Sequence, residues 1–238
     1  AKGHEVEPGS LQYKSGDGFK FAALGRSNQN AIFIDSTGRT YSIPSHTLPS
    51  ARGQGEPLTG RLTPESGATF EGVLMGDEKQ RILLASDGGY GFVAKIEDLQ
   101  SKNKSGKSVL KLPKGTKVLP PLLVKDYTND TVVAISNEGR MLSFPLSELP
   151  ELSRGKGNKI ISIPTVRASE RVEFVVALCV LGSGETLAIH AGRRHLNMKA
   201  SDLEHYKGER GRRGNKLPRG FQNVDRVEVI GASQCLRT

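Results

Sequence analysis

Short apolar runs, each followed by a glycine-bearing turn and then by an alternating apolar–polar run, recur along the chain. Residues 32–43 have this shape around Gly38, 83–93 around Gly89, 133–144 around Gly139 and 187–196 around Gly192. Period-two runs with a turn signal between them predict β-hairpins. Glycine is expected at each tip because a tight hairpin turn needs a residue that tolerates positive φ. The tip glycines lie 51, 50 and 53 residues apart, so the hairpins belong to an internal repeat.

Other features keep the same phase. Leu48, Leu99, Leu149 and Leu203 follow the hairpins, and after each comes a loop rich in glycine and basic residues: 50–55, 102–107, 153–159 and 208–214. Aligning Gly55, Gly106, Gly157 and Gly211 gives steps of 51, 51 and 54 residues. Lys2-Gly3-His4, 52 residues before Gly55, reads as the stump of a fifth loop. A further strand closes each unit, at 19–22, 69–74, 117–119, 171–175 and 225–229. Asp35, Asp87 and Asn137 at the turns read as hairpin caps. About four short strands in ~40–50 residues is the arithmetic of a propeller blade, not of a helical solenoid. Helix signals are nearly absent, and 147–152 amounts to one helical turn at most. The fold class predicted is all-β, a propeller-like disc of about five four-stranded blades with the first incomplete, which allows an open disc. One domain over residues 1–230, with a polar tail at 231–238, is expected because no long linker breaks the period.

Composition supports this picture and adds a partner. Glycine (28 residues) and proline (12) suit many tight turns. Lys and Arg total 34 against 25 Asp and Glu, a formal charge of +9, which favours polyanions. The charge is also collected. Residues 101–117 carry six lysines and no acid, 152–167 carry Arg154, Lys156, Lys159 and Arg167 and no acid, and 205–220 carry six cations against Glu209. These stretches share one phase of the repeat, and equivalent positions in a repetitive array fall along one rim. Duplex DNA is the partner expected. The candidate contacts are Arg52, Lys102, Lys104, Lys107, Arg154, Lys156, Lys159, Arg210, Arg212, Arg213, Lys216 and Arg219. Arg39, Arg140, Arg193 and Arg194 follow the hairpin tips and form a second tier. Lys and Arg neutralise phosphates, and glycine lets backbone N–H groups approach them. No groove-reading helix is visible and aromatics are 5% of residues, so the contact is expected to depend on DNA shape rather than base sequence.

At these loops the chain resembles the C-terminal domain of the A subunit of bacterial topoisomerase IV. The resemblance is carried by the blade repeat together with residues 50–58, 153–161 and 208–214, and it covers essentially 1–230. It implies a β-pinwheel, whose blades exchange strands with their neighbours and whose outer basic surface bends a DNA segment. The gyrase A subunit, a close relative, carries a box reading Gln-Arg-Arg-Gly-Gly-Lys-Gly. Arg154-Gly155-Lys156-Gly157 and 210–214 are only degenerate versions of it, which favours topoisomerase IV and argues against tight wrapping. The resemblance implies a holoenzyme that performs ATP-dependent double-strand passage, with decatenation and relaxation. Its partners would be the rest of the A subunit and the ATPase B subunit, and its ATP and Mg sites would lie outside this fragment. A bacterial cytoplasmic, nucleoid-associated setting and a monomeric isolated domain follow from the same likeness.

No catalytic or metal site is expected here. The chain has no H-E-x-x-H, G-x-S-x-G or Walker pattern. His190 and His195 flank the fourth tip without a third ligand nearby in sequence. Tyr13, Tyr41, Tyr90, Tyr127 and Tyr206 sit mostly in strand contexts that predict packing. Cys179 lies in an apolar run and reads as a buried thiol, whereas Cys235 lies in the polar tail. No stretch approaches the ~20 apolar residues of a membrane-spanning helix. The start lacks the apolar core of a signal peptide and opens without Met, as a fragment of a longer chain would. Two other classes fit a repeat of this length: a protein-binding propeller adaptor with an acidic partner, and a propeller hydrolase, which would need inward-facing carboxylates.

Overall fold

A computed structural model of the chain describes residues 1–4 and 6–231. Most of the expected tail, with Cys235, lies outside the described residues. The strands are β1 (Asn30–Asp35), β2 (Arg39–Pro44), β3 (Phe70–Leu74), β4 (Arg81–Ser86), β5 (Tyr90–Lys95), β6 (Lys107–Ser108), β7 (Leu122–Val124) and β8 (Thr131–Ser136). They continue with β9 (Arg140–Pro145), β10 (Asn158–Lys159), β11 (Val175–Leu181), β12 (Thr186–Ala191), β13 (Arg194–Met198), β14 (Asn215–Lys216) and β15 (Arg226–Ile230). Helix is confined to α1 (Ile96–Leu99), α2 (Thr165–Ser169), α3 (Ala200–Leu203) and a few 3₁₀ turns, one of them Leu146–Glu148. The fold is all-β.

Four sheets form, with strand orders β3-β1-β2-β6, β10-β5-β4-β7, β11-β8-β9-β14 and β13-β12-β15. In the first three, a hairpin takes one neighbour from its own unit and another from beyond the following hairpin. β6 leaves the second unit to pair with β2, β10 pairs with β5, and β14 pairs with β9. Among the described residues the fourth sheet has no exchanged strand. This is the strand exchange that a pinwheel requires. The expected count of about five blades is one higher than the number of sheets among the described residues. The N-terminal 29 residues hold a 3₁₀ turn at Pro8–Ser10 and a single bridge from Lys2 to Ser50, and no sheet.

The period of two explains how the sheets stack. Ile32 and Ile34 of β1 and Ile82 and Leu84 of β4 share one core, so the first and second sheets pack face to face. Leu83 and Ala85, on the other face of β4, meet Val132 and Ala134 of β8. Val133 and Ile135 in turn meet Leu187 and Ile189 of β12. A strand buried on both faces needs an uninterrupted apolar run, and these strands have one. Among the described residues no core cluster joins the fourth sheet to the first.

The exchanged strands dock on the hairpin tips. The carbonyls of Gly38, Gly89 and Gly139 accept hydrogen bonds from the N–H groups of Leu110 (2.9 Å), Ile160 (2.7 Å) and Leu217 (2.8 Å). A Cβ on Gly38 would stand 1.9 Å from the Leu110 carbonyl oxygen, whereas one on Gly192 would meet nothing within 4 Å. Glycine is thus demanded at the first tip by close approach as well as by φ.

Several expected details differ. Residues 19–22 form no strand, although Phe21 packs on the first sheet's core. Residues 117–119 contribute only the Ser86–Val118 bridge, and the strand proper is β7. β11 begins only at Val175, and Arg171 ahead of it sits at a φ of 61°. That backbone is strained for a side-chain-bearing residue, and the Arg171 guanidinium is held by the Asp87 carboxylate at 2.8 Å. Asp35 caps its turn as expected, accepting from the Thr37 and Arg39 N–H groups at 2.8 and 3.1 Å. Asp87 and Asn137 do not: they reach across to accept from the N–H groups of Lys117 (2.8 Å) and Phe174 (2.9 Å) in the next strand-bearing segment.

Candidate nucleic-acid interface

Strand exchange decides where the basic loops go. β7 and β15 both pack against β11, so these strands mark one edge of the stacked sheets. β6, β10 and β14 form the opposite edge, and the basic loops lead into them. Each of the last three basic loops is also hydrogen-bonded to the segment that leaves the loop before it. The Thr63 N–H donates to the Lys104 carbonyl (2.8 Å), Lys111 to Gly155 (2.9 Å) and Ser162 to Arg212 (2.9 Å). In return, Gly155 donates to the Val109 carbonyl (2.8 Å) and Gly211 to that of Ile160 (2.9 Å). The second, third and fourth loops, with the segments that leave them, are thereby tied into one belt along the exchange edge, and the first unit reaches it at Thr63.

The belt corrects the alignment of the fourth loop. Gly157-Asn158-Lys159 pairs with Gly91 and Tyr90, and Gly214-Asn215-Lys216 pairs with Met141 and Arg140 in the same way. The equivalent of Gly157 is thus Gly214, not Gly211, and the fourth loop is longer than glycine spacing suggests. Nor is Lys2-Gly3-His4 a basic loop. Lys2 exchanges backbone hydrogen bonds with Pro49 and Ala51 (2.7 and 2.6 Å) as Val93 does with Pro150 and Leu152 (3.0 and 2.8 Å). It occupies the place of a hairpin's second strand.

The candidate cations fall into two groups. Arg52, Lys102, Lys104, Arg154, Lys159, Lys216 and Arg219 are exposed on the belt or its exit. Lys156 is exposed too, with its ammonium 4.4 Å from the centre of the Tyr90 ring. Arg212 forms an exposed pair with Glu209 (2.8 Å), which water and salt weaken. The remaining loop cations bond within the protein. Lys107 donates to the Asp98 carbonyl (2.7 Å) and Arg210 to that of Lys159 (2.7 Å). Arg213 donates to the Ser162 carbonyl and to the fully buried Glu173 carboxylate, both at 2.9 Å. Arg167 donates to the same carboxylate at 3.1 Å and pairs with Glu138. Burial opposes ionisation of Glu173, but the hydrogen bonds from Arg213 and Arg167 outweigh it and hold its pKa below the usual range. Arg213 therefore anchors the fourth loop to the buried Glu173.

In the second tier, Arg39 and Arg140 are half-buried and bonded to loop carbonyls. Arg194 donates weakly to the Arg219 carbonyl (3.4 Å), and Arg193 is exposed without a hydrogen bond or ion pair among the described residues. Sequence reasoning left Lys111, Lys114 and Lys117 out of the candidate contacts, although all three are exposed and Lys111 sits at the junction of two loops. The acid-free run 101–117 was the signal for them. No group of three or more His, Cys, Asp or Glu residues among those described is arranged to hold a metal ion. No helix among the described residues is long and apolar enough to cross a membrane.

The solved C-terminal domain of Escherichia coli ParC superposes on this chain with a TM-score of 0.88 at 49% identity, covering 97% of this chain and 93% of that one. The chain belongs to the family of C-terminal domains of the topoisomerase IV A subunit. Within this family, the A subunit of DNA topoisomerase 4 from Pseudomonas aeruginosa is 60% identical over 229 residues, 96% of this chain and 30% of that protein. The Escherichia coli K12 subunit is 50% identical over the same length and shares. The chain thus spans about a third of these relatives. A family model described as the DNA gyrase C-terminal domain, beta-propeller, matches residues 80–125 and 130–178. The solved gyrase A C-terminal domain shares the fold alone, with a TM-score of 0.68 at 15% identity over 94% of this chain and 73% of that one.

Proposed function

We propose that this chain binds duplex DNA along the exchange edge, bends it, and presents the bent segment to the remainder of a type IIA topoisomerase. The observation that carries this reading is the belt: three basic loops tied in sequence by backbone hydrogen bonds, with the first unit joined to them at Thr63 and exposed cations on every basic loop. A row of fixed cations on a curved edge neutralises successive phosphates and releases their counterions. It carries no base-reading element, so selection rests on how easily a duplex deforms. The intact enzyme would pair the A subunit with an ATPase B subunit and use ATP and Mg for strand passage, decatenating and relaxing DNA. None of that chemistry belongs to the residues described above. The setting that fits is the bacterial cytoplasm, at the nucleoid.

A salt titration of duplex binding tests the reading. A protein meeting roughly 6–10 phosphates loses about 10³–10⁵ in affinity between 50 and 200 mM salt. Replacing Lys102, Lys104, Arg154, Lys156 and Lys159 with Ala should flatten that dependence, by about 0.9 in log–log slope for each phosphate no longer neutralised. Affinity that ignores salt would rule the proposal out.

A further inference from the structure

The residue after each tip glycine meets the next basic loop in every sheet that receives an exchanged strand. Arg39 follows Gly38 and donates from Nε to the Ser105 carbonyl (2.9 Å) and from Nη2 to that of Gly106 (3.1 Å). Arg140 follows Gly139 and donates to the carbonyl of Gly214 (3.2 Å). Gly106 and Gly214 are equivalent: both have φ near 70° (71° and 74°), and both lead directly into an exchanged strand. In the second sheet the position is Tyr90, and the contact runs the other way, with the Lys156 ammonium over its ring. Among the described residues the fourth sheet receives no strand, and its equivalent, Arg193, is exposed and makes no hydrogen bond or ion pair with them.

We propose that this position is a latch. Arg39, Tyr90 and Arg140 are positioning residues that fix the basic loops, not phosphate contacts, whereas Arg193 is the same position left unlatched. Two physical effects follow. The planar guanidinium, with its donors in a fixed fork, immobilises a glycine-rich segment that would otherwise lose much entropy on meeting DNA. It also covers the carbonyl oxygens of Ser105, Gly106 and Gly214, whose partial negative charge would oppose an approaching phosphate. The latch contacts stand on their own geometry, and their consequence for DNA rests on the function proposed above.

Amide hydrogen exchange on the full chain without DNA separates the two. Arg39→Ala should speed exchange at Gly106, Lys107 and Ser108 by about tenfold, the effect of losing roughly one net hydrogen-bond contribution, and leave 214–216 unchanged. Arg140→Ala should do the reverse, and Arg193→Ala should do neither. Arg39→Lys keeps the charge but not the fork and should still loosen the loop. Unchanged exchange in Arg39→Ala, or an equal effect from Arg193→Ala, overturns the latch. A double-mutant cycle then reads the DNA consequence. Once Lys102 and Lys104 are Ala, adding Arg39→Ala should change affinity less than twofold, because there is nothing left to position. An additive loss, with the salt slope falling by a further ~0.9, would make Arg39 a phosphate contact instead. A wild-type chain that fails to bind duplex would sink the proposed function, while the exchange arm would still decide the latch.

Discussion

Glu173 shows how much a single residue can decide on this surface. Its carboxylate is fully buried, and the guanidiniums that donate to its Oε2 come from α2 and from the fourth basic loop. Deleting one partner of a fully buried pair costs ~3–5 kcal/mol. Arg167 and Arg213 remain 40% and 36% exposed, so water screens part of that loss. Glu173→Gln is therefore expected to cost about 2–3 kcal/mol in chemical denaturation. The pH dependence follows from the sign of the shift. A carboxyl whose pKa is lower in the folded than in the unfolded state stabilises the fold above the unfolded value and loses that stabilisation as pH falls through the folded one. Stability should thus fall on acidification below pH 4.5, the ordinary glutamate value, and Glu173→Gln should fall less steeply. Equal acid sensitivity in both proteins would show that this carboxylate does not carry the effect. Cys179 is the quieter case: burial pushes its thiol up to about 12, as a buried free cysteine in a strand requires.

At the scale of elements, the exchanged strands do most to make separate hairpins into one body. Each is only two residues long, too short to be stable alone, and is held by a tip carbonyl and an edge pairing. This makes the tip glycines unequal. Gly38 and Gly192 both have positive φ, 84° and 59°, so alanine costs about 1–2 kcal/mol at either from backbone strain. At Gly38 the added Cβ also strikes the Leu110 carbonyl, a backbone atom that cannot swing aside. Gly38→Ala should therefore cost at least about 1 kcal/mol more than Gly192→Ala, through overpacking. Thermal denaturation of the two variants side by side is the measurement, and equal melting temperatures would mean that β6 docking contributes little.

At the scale of the whole molecule, the stacked sheets set one basic edge against a stiff polymer. Smoothly bending a 20–30 bp site by 40–90° costs on the order of 1–6 kcal/mol, which a row of phosphate contacts can supply. End-to-end energy transfer on a labelled ~40 bp duplex should rise on binding and fall as salt is added. Removing Arg154, Lys156 and Lys159 breaks the belt at its middle loop. It should lower transfer even at saturating protein, because the ends of the site then have no shared fulcrum. Transfer that never rises would mean that the edge holds DNA without bending it.

The sequence by itself determined the hairpins, their period of about fifty residues, the glycine at each tip and the clustering of charge in one phase of the repeat. All of these are local or periodic properties, and they survive without knowledge of which strand pairs with which. Pairing across units was decided only in three dimensions. It made Gly214 rather than Gly211 the counterpart of Gly157, left residues 19–22 without a strand and, among the described residues, gave the fourth sheet no exchanged strand. It also divided cations that look alike in sequence. Lys104 and Arg154 face solvent, whereas Arg39, Arg140 and Arg213 spend their donors on carbonyls and a carboxylate brought to them from 40 to 74 residues away. A side chain's charge is written in the sequence, but its freedom to meet a phosphate depends on partners that only the tertiary structure supplies.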